Sequence, residues 1–115
     1  MSAHEVDSAL FVYGSLLSAR HRRRILARDV SAAPTRLEGF ERRRARYFYI
    51  VQRAGAHTPG LLLSGLEAGD FTRLDRYEDV PRLYTRERVE VTVEDGATLR
   101  CWIYMPTEAL LDGAE

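Results

Sequence analysis

Arg88-Val89-Glu90-Val91-Thr92-Val93-Glu94-Asp95-Gly96-Ala97-Thr98-Leu99-Arg100-Cys101-Trp102-Ile103-Tyr104 is the most strongly patterned stretch of this chain. Apolar and polar residues alternate on both sides of Glu94-Asp95-Gly96, and a period of two with β-branched residues marks strands. A two-residue Asp95-Gly96 turn would set the valines opposite Arg100, Trp102 and Tyr104. A three-residue loop, with Gly96 in the left-handed bulge position, pairs Val93 with Ala97, Val91 with Leu99 and Val89 with Cys101. The second register is expected because it keeps one apolar face continuous. Trp102 and Tyr104 then share the other face with Arg88 and Glu90, as in a strand that lines a cavity or carries a covering helix.

Upstream of this hairpin, Glu67 to about Asp79 reads as a helix ended by Pro81, because the residue before proline is pushed out of the helical region. Leu61 to Leu63 is a short apolar strand, and Ala54 to Gly60 reads as a loop by composition. Leu37 to Arg53 is extended, with Tyr47, Tyr49 and Val51 alternating against Arg46, Phe48 and Ile50. Ser18 caps a short surface helix through about Ala27 that carries Arg20-His21-Arg22-Arg23-Arg24. Leu10 to Tyr13 is apolar without alternation, the pattern of a central strand covered on both faces and ending in the Gly14-Ser15 loop.

The 115 residues (13.1 kDa), 45% of them hydrophobic, fit one domain over 1–115 with its core between about 9 and 105. Seventeen basic and seventeen acidic residues cancel, which removes the simplest case for a nucleic-acid or membrane partner. The balance is uneven, with residues 1–60 at net +6 and 61–115 at net −6. Every basic residue is arginine, so no lysine can form a Schiff base. Cys101 stands alone in an apolar run; it excludes a disulfide framework and a multi-cysteine zinc site and reads as a buried, inert thiol in a reducing cytoplasm. Ala9 to Leu17 is too short to span a bilayer, and Glu5 and Asp7 stand where a signal peptide would be positive, so the chain reads as soluble and unexported. His4, His21 and His57 fall in a tail, a basic helix and a loop, with no metal or triad spacing. The arginines at 20–24 and 42–46 lack an aromatic platform or a recognised nucleic-acid motif and read as a solvated or anion-steering face.

Two places carry candidate chemistry. At 100° per residue, placing Phe71 at 0° puts Leu74 at about 300° and Glu78 at about 340°, inside the apolar stripe. A carboxylate facing inward is desolvated, its pKa rises towards neutrality, and it can then both take and give a proton. The alternative is that Glu78, in the last turn, swings to solvent or pairs with an arginine such as Arg86. The second place is Tyr13-Gly14-Ser15-Leu16, where a glycine after a buried strand is either a structural turn or a nest of N–H groups aimed at an anion such as a carboxylate.

Leu10-Phe11-Val12-Tyr13-Gly14-Ser15-Leu16, then Leu74-Asp75-Arg76-Tyr77-Glu78, then Tyr84-Thr85-Arg86 with Val89 and Val91, and Gly96 followed by Trp102-Ile103-Tyr104, in that order, resemble the gamma-glutamylcyclotransferase-like family over roughly residues 9–105. The resemblance implies an α+β fold, a small mixed β-barrel with flanking helices. It implies a reaction in which a gamma-glutamyl compound closes to 5-oxoproline and releases an amine or amino acid, with a small-molecule substrate and no metal or cofactor. Carried over residue by residue, it makes Glu78 the catalytic acid/base and Tyr13, Gly14, Ser15 and Leu16 the binding loop for the glutamyl carboxylate, with Tyr84 and Tyr104 as pocket walls. The insertion Asp79-Val80-Pro81-Arg82-Leu83 resembles members acting on gamma-glutamylamines, whereas Tyr47-Phe48-Tyr49 departs from the family's usual Tyr-Pro. A non-catalytic binding or regulatory module on the same fold is the alternative function, and an anionic-partner protein acting through the arginine-rich half is a third.

Overall fold

The computed structural model describes residues 4–113; residues 1–3 and 114–115 of the expected 1–115 domain lie outside them. Five strands follow one another with interspersed helices: β1 (His4–Val12), a 3₁₀ turn (Ser15–Leu17), α1 (Ala19–Leu26), β2 (Ser31–Arg44), β3 (Phe48–Ser64), α2 (Ala68–Tyr77), β4 (Tyr84–Val93), β5 (Thr98–Pro106) and α3 (Glu108–Asp112). The strands close in the order β1-β3-β2-β4-β5, with β5 returning to β1. That last pairing is parallel and the other four are antiparallel, so the fold is the mixed barrel of an α+β protein, as expected.

The β4–β5 hairpin adopts the three-residue-loop register. Val91 pairs with Leu99 and Val89 with Cys101; the Val93 N–H donates to the Ala97 carbonyl at 2.9 Å. Gly96 takes φ 90°, the left-handed conformation that costs glycine nothing, and the Ala97 N–H donates to Asp95 Oδ1 at 2.8 Å.

Period-two alternation sorts the strand residues into two cores. Phe11, Tyr13, Leu37, Ile50, Val91 and Cys101 fill the barrel. Leu10, Val12, Leu63 and Tyr104 face outward and meet Leu26 of α1 and Phe71 and Leu74 of α2. Both faces of Leu10 to Tyr13 are thereby covered. Cys101 is fully buried, and burial pushes its thiol up to about 12, which leaves it inert.

Four expectations need correction. Ala54 to Gly60 is strand, because β3 runs from Phe48 to Ser64 against β2. Its glycine and proline signals have other causes: the register shifts between Glu38↔His57 and Phe40↔Gln52, where Gly39 and Gly55 take positive φ, and a Cβ on Gly60 would lie 2.3 Å from the Val12 carbonyl oxygen. The extended run Leu37 to Arg53 is broken by a turn in which the Ala45 N–H donates to the Tyr47 carbonyl. His4 belongs to β1, paired with Leu99, and not to a tail. Finally, α2 stops at Tyr77 with Glu78 as its cap, and Asp79 turns left-handed at φ 57°, two residues ahead of Pro81.

Among the described residues no helix is long and apolar enough to cross a membrane.

Candidate active site

The outward face of the barrel beside α2 opens into a cavity of about 570 Å³, and Glu78, the Tyr13–Leu16 loop, Tyr84 and Tyr104 all line it. Each arrives from a different element: the loop from the end of β1, Glu78 from the cap of α2, Tyr84 from the start of β4 and Tyr104 from β5. Residues far apart in sequence are thus brought around one space.

Glu78 keeps the helical direction because its N–H donates to the Leu74 carbonyl at 2.9 Å, which is why the stripe drawn through Phe71 and Leu74 predicts its side. Its carboxylate has no hydrogen-bond or ion-pair partner among the described residues. Burial raises its pKa to about 7, with no ion pair to offset it among the described residues. Arg86 is engaged elsewhere: its Nε donates to Asp75 Oδ1 at 3.0 Å, and its guanidinium lies over the rings of Phe71 and Trp102 at 4.6 and 4.5 Å. Tyr104 donates its hydroxyl to the same Asp75 oxygen at 2.7 Å. Asp75 therefore absorbs the cation that could have neutralised Glu78.

The tyrosines are walls more than reagents. Tyr13 donates to the Tyr104 carbonyl at 2.6 Å and Tyr84 to the Phe48 carbonyl at 2.5 Å. Burial first, then the Asp75 carboxylate at Tyr104, Tyr84 at Tyr13 and the Glu78 charge at Tyr84, hold the three hydroxyls above the ordinary phenol range, so all three stay protonated.

In the loop, Gly14 has φ −126°, so its lack of a side chain serves close approach and not a left-handed turn: a Cβ there would sit 3.1 Å from Phe48 Cβ. The N–H groups of Gly14, Ser15 and Leu16 have no partner among the described residues, consistent with orphan donors at the start of a 3₁₀ turn. Three free donors in succession can receive a carboxylate. The loop's carbonyls are tied back from outside, by Arg42 Nη1 to Tyr13 O at 3.0 Å and by Arg22 Nη1 to Leu16 O and Leu17 O at 3.0 and 2.9 Å. Ser15 Oγ and the Tyr77 hydroxyl lie 2.6 Å apart.

Arg22 and Arg42 are positioning residues within runs expected to form a solvated or anion-steering face. Nothing in a run of arginines marks the one that folds back, although Arg22 stands one helical turn past the loop it holds. The cavity mouth also carries Arg44, Arg46, Arg76 and Arg82. No group of three or more His, Cys, Asp and Glu residues converges on a metal position among the described residues.

The chain is similar to proteins of known structure. An Arabidopsis thaliana protein solved in solution is 26% identical, with a TM-score of 0.78 over 89% of this chain and 70% of that one. A protein named gamma-glutamyl cyclotransferase is 22% identical, with a TM-score of 0.74 over 87% of this chain and 66% of its own. An AIG2-like protein of Mus musculus is also 22% identical, with a TM-score of 0.67 over 89% of this chain and 78% of its own. At that identity the last two establish the fold alone. No curated protein sequence matches the chain. The family model described as gamma-glutamyl cyclotransferase, AIG2-like, matches residues 10–114. That match spans every element from the core of β1 to α3, and the chain belongs to the gamma-glutamyl cyclotransferase, AIG2-like family.

Proposed function

We propose that this chain is a gamma-glutamyl cyclotransferase acting on a small gamma-glutamyl amine or amino acid, with Glu78 as its acid/base. The observation that carries the reading is the unpartnered Glu78 carboxyl, its pKa raised to about 7, in the same cavity as the unbonded amides of Gly14 to Leu16. The α-carboxylate of the substrate accepts hydrogen bonds from those amides, which folds the glutamyl chain for ring closure. Glu78 takes a proton from the α-ammonium, and the freed amine attacks the substrate's own γ-carbonyl carbon. The new C–N bond closes the five-membered ring as the C–N bond to the leaving amine breaks. Glu78 then returns the proton to the leaving nitrogen, and the second proton shed by the ring nitrogen goes to the departing amine, which leaves as an ammonium, so the reaction consumes no water and needs no protein nucleophile.

The test is release of 5-oxoproline from a panel of gamma-glutamyl compounds, followed by mass spectrometry. The expected outcome is release by the wild-type chain and a loss of about 10²–10⁴-fold in kcat for Glu78→Gln, the range for removal of a general acid/base, with the folded domain intact. Compounds that bind without forming product would identify a sensing module on this fold instead.

A further inference from the structure

The mouth of the cavity holds more positive charge than a glutamyl group can use. Arg28, Arg43, Arg73, Arg86 and Arg88 each pair with an acid, and at the cavity Arg82 pairs with Asp79. Arg44, Arg46 and Arg76, which also line it, have no acidic partner among the described residues. They approach from two sides, Arg44 from the end of β2 and Arg46 from the turn that follows it, and Arg76 from the last turn of α2. Two are set on aromatic faces, Arg44 over Phe48 at 5.0 Å and Arg46 over Tyr47 at 5.6 Å, which limits their freedom before any ligand arrives.

The only acids among the lining residues are Glu78 and Asp79, and Asp79 is neutralised by Arg82. Glu78 forms no ion pair with any of these guanidiniums among the described residues, and Arg44, Arg46, Arg76 and Arg82 all stand at exposed positions. In the proposed pose the loop amides take the α-carboxylate and Glu78 meets the α-ammonium. What remains to face three unpaired guanidiniums is the part of the substrate beyond the γ-carbonyl. A second cavity of about 220 Å³, sharing Arg46, Tyr47, Arg82 and Leu83 with the first, gives that part room to extend.

Resting on the cyclotransferase reading, we infer that the released amine is net negative, carrying carboxylate or phosphate groups, and that Arg44, Arg46 and Arg76 select it against neutral and cationic amines. The chemistry shared by the two sources is an oxyanion near the scissile nitrogen, matched to guanidinium donors.

The test compares kcat/KM for four gamma-glutamyl compounds: those of glutamate, O-phosphoethanolamine, propylamine and 1,3-diaminopropane. The expected order is anionic above neutral above cationic, spanning at least about tenfold and expressed mainly in KM. The faster of the two anionic compounds identifies the source. Arg46→Gln and Arg76→Gln each lower the ratio of anionic to neutral kcat/KM by about tenfold. Release of 5-oxoproline with no charge preference, or with the reverse order, overturns the inference and leaves the cyclotransferase intact. If no compound yields 5-oxoproline, the cyclotransferase reading falls, and calorimetric binding of the same four compounds then decides whether the mouth selects anions, an equal or reversed order again overturning it.

Discussion

At the scale of the residue, Glu78 is where helical periodicity and chemistry coincide. Its position seven after Phe71 and four after Leu74 sets its direction, and burial raises its pKa to about 7. A base that must be ionised to accept the substrate proton gives kcat/KM that rises with pH through an apparent pKa near 7; Glu78→Gln removes that limb, as a pH–rate profile measures. The same shift has a stability consequence. Unfolded, the carboxyl titrates near its ordinary 4.5; folded, it holds its proton up to about 7. Stability from this group is therefore complete below the unfolded value and is lost as pH rises through the folded one. Glu78→Gln should stabilise the fold at pH 8 by on the order of 2 kcal/mol after solvent screening, raising the melting temperature, and leave stability nearly unchanged at pH 4. Thermal melts at the two pH values check this. A melting temperature no higher at pH 8 than that of the wild type would place the carboxylate in water.

At the scale of the element, the hairpin and the first two helices were legible, and the long strand and α3 were not. The β4–β5 register followed from Gly96 and the valine face because both act between near neighbours. Ser18 accepts the His21 N–H at the start of α1, again a local signal. In β3, the proline and glycines that suggested a loop answer to contacts made far along the chain. Gly60 lies against Val12 and Phe11 of β1, where an added Cβ would meet the Phe11 ring at 2.7 Å and the backbone more closely still. Gly60→Ala should cost about 3 kcal/mol, because the blocking atom is backbone and cannot rotate away; chemical denaturation checks it. Asp70 serves α2 twice, accepting the Glu67 N–H at 2.9 Å to complete the capping box and pairing with Arg28 beyond α1. Asp70→Ala should cost about 2 kcal/mol and loosen the first turn of α2, at the opposite end from Glu78. Amide exchange over residues 67–78 would show where the loss is felt.

At the scale of the whole molecule, the zero net charge conceals a division that folding stitches together. Arg28 of the basic half pairs with Asp70 of the acidic half, while Asp7 of the basic half pairs with Arg88 of the acidic half at 2.6 Å. Among the described residues, what the stitching leaves unpaired includes Arg20 and Arg24 on α1 and the three guanidiniums at the cavity mouth. An anionic substrate should therefore be steered, with kcat/KM falling several-fold as salt rises from about 0.01 M to about 1 M and the Debye length shrinks from about 30 Å to about 3 Å. A substrate with a neutral leaving group should respond less, and equal salt dependence for both would refute the steering.

Local periodicity and turn chemistry were enough to place the hairpin, the Ser18 cap of α1 and the twice-buried strand at Leu10 to Tyr13, and to offer an inward Glu78 as one of two directions, because each depends on residues within a few positions of one another. The parallel pairing of β1 with β5, the strand that runs through His57 and Pro59, the partnership of Asp75 with Arg86 that leaves Glu78 free, and the reach of Arg22 and Arg42 to the loop carbonyls were settled only by the tertiary structure. Barrel closure brings together segments some ninety residues apart, as in the Tyr13–Tyr104 hydrogen bond, and which of many arginines meets which carboxylate or carbonyl depends on that closure and not on spacing along the chain.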